Sequence, residues 1–424
     1  MDFSFKQLHS WISTHNAIRR VMRLQPAAGQ GDTIFPSTYP GDLKDSGPMH
    51  ALQVMRIGAK DVHCVIIDSV QSQANRLELA LMSSVCAGTV TIPHLEIDFS
   101  EAGIDYVGRK GRYSSLEAPH RIYDAAFRDS ALPDGRAFME TPLGQGLTRA
   151  NTTNATSVLT LSPNALLFGA WHSQGFRGDG NGTGTRFARC LASEIIGINV
   201  PVEDVFDPRT GAIAERRTAG RRTSSRIDQL GIIRGVPIYK GKTNWSDREE
   251  EVEGNATLVR PSEINHGSIT PSIEPVGVTM EYAEQRTVLT FAGLRRLCFD
   301  GSPEKSSVAR AYLAALGVLA CAEQDLCGYA LRSRCDLVPE KPAPYEVIAP
   351  DGTTSTVQID LAGARELYKE ALAAVLAAGF EMQLTPTRLI PQRKLASIIK
   401  QSRDRTLTSD DTEAEPEGGR DAHP

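Results

Sequence analysis

The chain has 424 residues, 41% of them hydrophobic, enough for one large domain with insertions or for two ordinary ones, each with its own core. Its formal charge is −5, but the stretch from Arg403 to Pro424 holds seven acids against three arginines, leaving 43 basic and 44 acidic residues elsewhere. A near-neutral body excludes any argument for nucleic-acid binding from total charge, so such a function has to come from local clustering of arginine. The seven cysteines are odd in number and include no C-x-x-C pair, which speaks against a disulfide framework or a zinc ribbon and for a reducing cytoplasm. The N-terminal "MDFSFKQLHSW" has no basic region followed by a long apolar run, so no signal peptide is expected. The longest apolar stretch, 311–322, is too short to span a bilayer, and no membrane association is expected.

Residues 1–60 read as an irregular lead-in, with turns dictated by Gly, Pro, Asp and Ser from 25 onward. "HCVIID", 63–68, is β-branched and predicts a strand; Ser69 then caps a helix whose Val70, Ala74, Leu77, Leu81 and Val85 form one stripe. Ser72, Asn75 and Arg76 point away from that stripe. A strand is predicted near 90–99, followed by a helix over "APHRIYDAAFRDS", 118–130, opened by Pro119 and presenting Arg121, Asp124 and Arg128 on one face. "ALLFGAW", 165–171, is strand-like. After a glycine-dense loop, "RFARCLASEIIG" predicts a helix with Phe187, Leu191 and Ile195 on its core side and Arg186, Arg189 and Ser193 opposite.

The pattern breaks down over 205–275, an arginine-rich insertion, and order returns at 277–291 as a strand pair or a bent strand. A buried helix over 303–327 has Ser302 as N-cap, Pro303 at its first position and Gly328 beyond its end. "PYEVIAP" and "TSTVQID" flank Asp351-Gly352, a hairpin turn signal. Asp360 caps a helix over 361–378, Pro391 starts a last short helix, and the acidic tail over 403–424 is expected to be disordered. Strands and helices alternate too irregularly for a doubly wound sheet, so the fold class is α+β, with one body over 61–204 and 276–402.

Three features compete as sites. The glycine loop 175–184, which contains Arg177, stands where phosphate-binding turns belong, yet its G-x-G-x-G spelling fits neither the dinucleotide fingerprint nor the P-loop. It is a surface loop, a loop touching a nucleic-acid backbone, or a mononucleotide site. The stretch from Arg209 to Arg234 has seven arginines against two acids. Such a cluster calls for an anionic partner: either phosphate, which guanidinium groups grip bidentately, or the acidic run "DREEEVE" at 247–253. Trp171 and His172 offer a stacking surface for a base, although a tryptophan at a strand end more often serves core or rim packing. No histidine pair has metal-ligand spacing and no G-x-S-x-G is present, so no catalytic set, metal or cofactor is expected.

Five strings, "IIDSVQSQANRLE", "PHRIYDAAFRDS", "PNALLFGAWHSQG", "RFARCLASEIIGIN" and "GRRTSSRIDQLGI", together resemble the backbone subunit of the type I-G (formerly I-U) CRISPR surveillance complex, in the seven-type Cascade superfamily. The resemblance runs from about residue 30 to 240 and more weakly to about 400. It implies a modified RNA-recognition-motif (ferredoxin-like) palm, β-α-β-β-α-β, with large insertions and a projecting thumb hairpin, placed either in 205–275 or in 25–60. It also implies a non-catalytic subunit that stacks with further copies of itself along the guide RNA. Further implied partners are the target DNA strand and the large and repeat-processing subunits. Sequence selectivity would reside in base pairing, so the protein would contact sugar and phosphate. The residues expected to do so are Gln71, Ser72, Gln73, Asn75, Arg76, Arg121, Arg128, Trp171, His172, Arg177, Arg186, Arg189, Arg221, Arg222, Ser225 and Arg226. Some of them could instead join neighbouring copies. The competing functions are a metal-dependent ribonuclease using Asp42 or Asp45, and a nucleotide-binding enzyme using the glycine loop.

Overall fold

The computed structural model describes residues 3–40, 48–172, 185–226, 229–267 and 269–408, and the chain divides into two compact units. The first comprises residues up to Gly220 together with Pro275–Gln392; the second comprises Arg221–Glu274 and the residues from Arg393 onward. Within the first unit the elements used below are helix α1 (Phe5–Thr14), strands β1 (Ala17–Pro26), β2 (Leu52–Ile57) and β3 (Lys60–Asp68), helices α2 (Val70–Cys86) and α3 (Asn164–Phe168), then strands β4 (Ala170–His172), β5 (Thr185–Phe187), β6 (Leu191–Ile198), β7 (Val202–Phe206) and β8 (Ile213–Thr218). They continue with β9 (Tyr282–Thr290), helix α4 (Pro303–Cys327), strands β10 (Tyr329–Arg332), β11 (Cys335–Pro339), β12 (Tyr345–Ile348) and β13 (Thr354–Val357), and helix α5 (Leu361–Ala377).

The fold is mixed α+β, built on an antiparallel nine-stranded sheet. Its order is β10-β11-β1-β9-β6-β3-β2, with β12 also pairing with β1 and β13 pairing with β12. Helix α2 packs on β6 and α4, and α4 packs in turn on α1 and α5. Helix α4 is long and apolar enough to cross a membrane, but 83% of its apolar window is buried inside the unit, as befits a core helix that is hydrophobic on every side. Its ends are set by local chemistry: the Ser302 hydroxyl accepts from Lys305 N, Pro303 is at the first position, and Gly328 adopts φ 78 beyond the end. Ser69 and Asp360 cap α2 and α5 in the same manner.

Several expectations fail here. Residues 5–26 are not irregular: they form α1 and β1, and β1 pairs with β9, β11 and β12. Strand β1 alternates strictly, with Ile18, Arg20, Met22 and Leu24 inward and Arg19, Val21 and Arg23 outward. The inward Arg20 disguises the alternation in the sequence; it is 3% exposed and its guanidinium is held by Asp325 at 2.5 and 2.9 Å.

The helix expected over 186–197 is two strands, β5 and β6. Phe187, Leu191 and Ile195 fit a helical stripe and a two-residue repeat equally well, and the pairing of β6 between β9 and β3 selects the strand. Ser193 therefore shares the buried face with Leu191 and Ile195. Gly197 fits because a Cβ there would stand 2.9 Å from Val65 Cγ1 on the neighbouring strand.

The expected strand 165–171 splits into α3, a glycine at φ 85 (Gly169) and β4. The helix expected over 118–130 is broken as well. Arg121 has a left-handed φ of 55, and Asp124 is extended and caps only the short helix Ala125–Arg128.

Between the sheet and helices α2 and α4 lies a buried polar network. Gln73 of α2 accepts from Gln285 (2.9 Å), Gln324 (3.2 Å) and Ser193 (3.2 Å), and donates to Asp68 (2.5 Å). Each side-chain amide thus finds partners from a different element, which is what makes its burial tolerable.

Part of the stretch 205–275 belongs to the first unit as the hairpin β7–β8. In the second unit Arg222–Arg226 pairs with Ile269–Glu274, Ile238–Lys240 is flanked by Trp245–Ser246 and Thr257–Val259, and Arg393–Thr408 is helical. Pro391 ends a strand, Thr387–Pro391, two residues before that helix starts.

Candidate nucleic-acid interface

A groove of about 640 Å³ opens between the turn Pro119–Arg121, the C-terminal end of α3 and the ribbon β4–β5. It brings together four of the residues singled out from sequence, Arg121, Trp171, Arg186 and Arg189, and adds His120; no carboxylate among the described residues lines it. Trp171 and Arg186 are directly opposite each other on the paired strands β4 and β5. They share the outward face of the ribbon, while His172 and Phe187 on the other face are buried. The indole is 63% exposed, and the Arg186 side chain has no hydrogen bond or ion pair with any described residue. Arg189 is half-buried and donates from Nε to Phe168 O at 3.1 Å. Burial, together with the adjacent Arg121, lowers its pKa, against the pull of Glu78.

Arg121 has a different role from the one expected. It forms a fork with buried Glu78 (2.7 and 2.8 Å) and donates to Gly169 O at 2.9 Å, which fixes the glycine at the head of β4. Asn164 supplies a further donor to Glu78 at 2.7 Å. Burial pushes the Glu78 carboxyl up, with Arg121 opposing. The charge of Arg121 is thus matched locally, whereas Arg186 and Arg189 have no carboxylate partner among the described residues.

His172 lies behind Trp171, 9% exposed, its ring stacked on Tyr123 at 4.7 Å. Burial and the nearby Arg128 lower its pKa, and its Nδ1 has no partner among the described residues. Arg128 is exposed and pairs with Asp129 at 3.1 Å.

The remaining sequence candidates are not in this groove. On α2, Gln71 and Asn75 are exposed and Ser72 is half-buried, but Gln73 is buried in the polar network rather than on the outer face. Arg76 is tied to Asp68 (2.9 Å) and to Leu331 O (2.5 Å). Arg221, Arg222, Ser225 and Arg226 belong to the second unit. Arg177, the glycine loop from 175, Asp42 and Asp45 lie outside the described residues.

The arginine-rich stretch is partly neutralised by carboxylates outside the acidic run 247–253. Arg216 pairs with Asp204 (2.5 Å) and Arg217 with Glu203 (2.8 Å) across the β7–β8 hairpin, and Arg222 stands 3.8 Å from Glu274. Two residues that shape the groove went unnoticed in the sequence, Glu78 and Asn164. The signal was there for Glu78, a carboxylate on the buried stripe of α2 beside Leu77 and Leu81; such a group needs a cationic partner.

The first unit is therefore a mixed α+β body carrying an open, cationic groove with an exposed indole on its rim. Residues 18–202, which contain every segment that lines the groove, match the family described as CRISPR-associated protein GSU0053. This match supports a Cas protein of the backbone type. It begins and ends earlier than the resemblance drawn from the five strings. No curated protein matches the chain.

Proposed function

We propose that this chain is a non-catalytic CRISPR-RNA-binding backbone subunit of a cytoplasmic type I surveillance complex, of subtype I-G. In this reading, copies stack along the guide RNA beside the other Cascade subunits and leave the guide free to pair with target DNA. The observation that carries the reading is the groove, where segments distant in the chain converge to leave two cations without carboxylate partners among the described residues, beside an exposed aromatic ring. Arginines engage phosphate without regard to sequence, and an indole stacks on any base, as a subunit that delegates selectivity to base pairing requires.

The sheet offers further support for the palm. Strands β11-β1-β9-β6 lie in the order 4-1-3-2 of a β-α-β-β-α-β unit, with α2 between the first and second strands and α4 between the third and fourth. In that reading β1, from the supposed lead-in, is the first palm strand, and the hairpin β2–β3 is an insertion that extends the sheet.

Coexpression with a CRISPR array and partner subunits tests the reading: this chain should copurify discrete RNA, in more than one copy per complex. Affinity for that RNA should fall steeply with salt, with a slope that flattens when Arg221, Arg222 and Arg226 are changed to alanine. Complexes lacking RNA, or magnesium-dependent cleavage of complementary RNA abolished by changing Asp42 and Asp45, would replace this reading with another.

A further inference from the structure

Within the groove, four side chains differ in what they can offer a ligand. Trp171 presents an indole that is 63% exposed, against 9% for Trp11 and 47% for Trp245. Its cross-strand neighbour Arg186 is exposed, and the two side chains rise from directly opposed backbone positions, where Cβ atoms are about 5 Å apart. That is close to the spacing between a base and its own phosphate. Arg189, three residues on from Arg186, also lines the groove and is half-buried, with only its Nε engaged, on a backbone carbonyl, among the described residues. Arg121 is the odd one out, because Glu78 takes two of its donors and Gly169 O a third.

We propose that this groove is a subsite for one unpaired nucleotide of a single-stranded RNA, its base lying on Trp171 and its flanking phosphates held by Arg186 and Arg189, with the Glu78–Arg121 pair as positioning residues that fix the groove wall. The inference rests on the RNA-binding reading above and assigns roles within it. A duplex presents no free base face to the indole, so it gains only the arginine contacts. A free mononucleotide gains the stack but only its own phosphate, in a groove too open to enclose it.

The test is a titration of the full-length chain with fluorescein-labelled oligouridylate, the same length of RNA duplex, and UMP, each at several salt concentrations. Trp171→Ala is expected to weaken oligouridylate binding roughly 5- to 150-fold, Trp171→Phe to restore part of the loss, and duplex binding to change little. Arg186→Ala and Arg189→Gln are each expected to reduce the single-strand salt slope by about 0.7. Arg136→Ala, an exposed arginine already paired with Asp134 outside the groove, serves as the control. Trp171 and Arg186 are exposed, so their variants keep the fold, which circular dichroism verifies. Wild-type chain that binds oligouridylate with the same affinity and slope as its Trp171→Ala and Arg186→Ala variants overturns this inference and leaves the RNA-binding reading standing. Equal Trp171-dependent affinity for UMP and oligouridylate overturns it in favour of a nucleotide pocket. Failure of the wild-type chain to bind any RNA overturns both.

Discussion

Replacing Arg121 with methionine would strand the Glu78 carboxylate, 2% exposed, with only the Asn164 amide at 2.7 Å to satisfy it. The fork of 2.7 and 2.8 Å and the bond to Gly169 O at 2.9 Å would vanish together. Neither side chain is exposed enough for water to screen the loss: Arg121 is 9% exposed at its side chain. Breaking one partner of a buried pair costs about 3–5 kcal/mol, so Arg121→Met and Glu78→Gln should each destabilise the first unit by that amount. The double variant removes both charges and leaves only neutral groups short of hydrogen bonds, at about 1–3 kcal/mol. The two single losses should therefore be strongly non-additive, which a double-mutant cycle by urea denaturation measures directly. Single losses below about 1 kcal/mol, of the size seen for exposed pairs, would refute the view that this pair fixes the wall of the groove. Additive losses would do so too.

Other expectations are simpler to check. Ser69→Ala removes the oxygen that accepts from Ser72 N at 3.3 Å, and should cost about 1 kcal/mol, read from the urea midpoint. Gly144→Ala would place a Cβ 2.2 Å from Phe138 O, a backbone atom that cannot rotate away, so a loss of at least about 1–3 kcal/mol is expected. The pKa of His172 is lowered below its ordinary 6.5, so the folded state resists protonation; its contribution is present above pH 6.5 and is lost as pH falls through the folded value. His50 and His94 are lowered by burial in the same sense, so His172→Phe should reduce, without abolishing, the stability difference between pH 7.5 and a pH of about 5. An unchanged difference would show that the buried ring does not titrate there.

Much of what was legible in the sequence is chemistry that acts within a few residues. The caps at Ser69, Ser302 and Asp360 and the Asp351-Gly352 turn between β12 and β13 all occur where the sequence places them. Each is decided by a side chain reaching a nearby backbone group, or by a glycine free to take a positive φ. Trp171, Arg186 and Arg189 are likewise visible as polar or aromatic residues flanking a glycine loop, though the segment that carries the two arginines folds as strands and a connection, where the sequence predicts a helix. That error has a physical source: apolar residues four apart satisfy both periods, and only a partner strand distinguishes them.

The sequence by itself determined where the helices capped by Ser69, Ser302 and Asp360 begin, which residues are apolar enough to form the core, and that 18–202 carries a CRISPR-associated pattern. Tertiary structure alone decided that residues 17–26 lie within the sheet, that Gln73 and Glu78 turn inward, and that Arg121 is held in place while Arg186 stays free of described partners. Burial of a polar or charged side chain depends on partners such as Gln285, Gln324 and Asn164 from far along the chain. Strand pairing likewise depends on neighbours that no local window contains, so neither could be settled before the chain had folded.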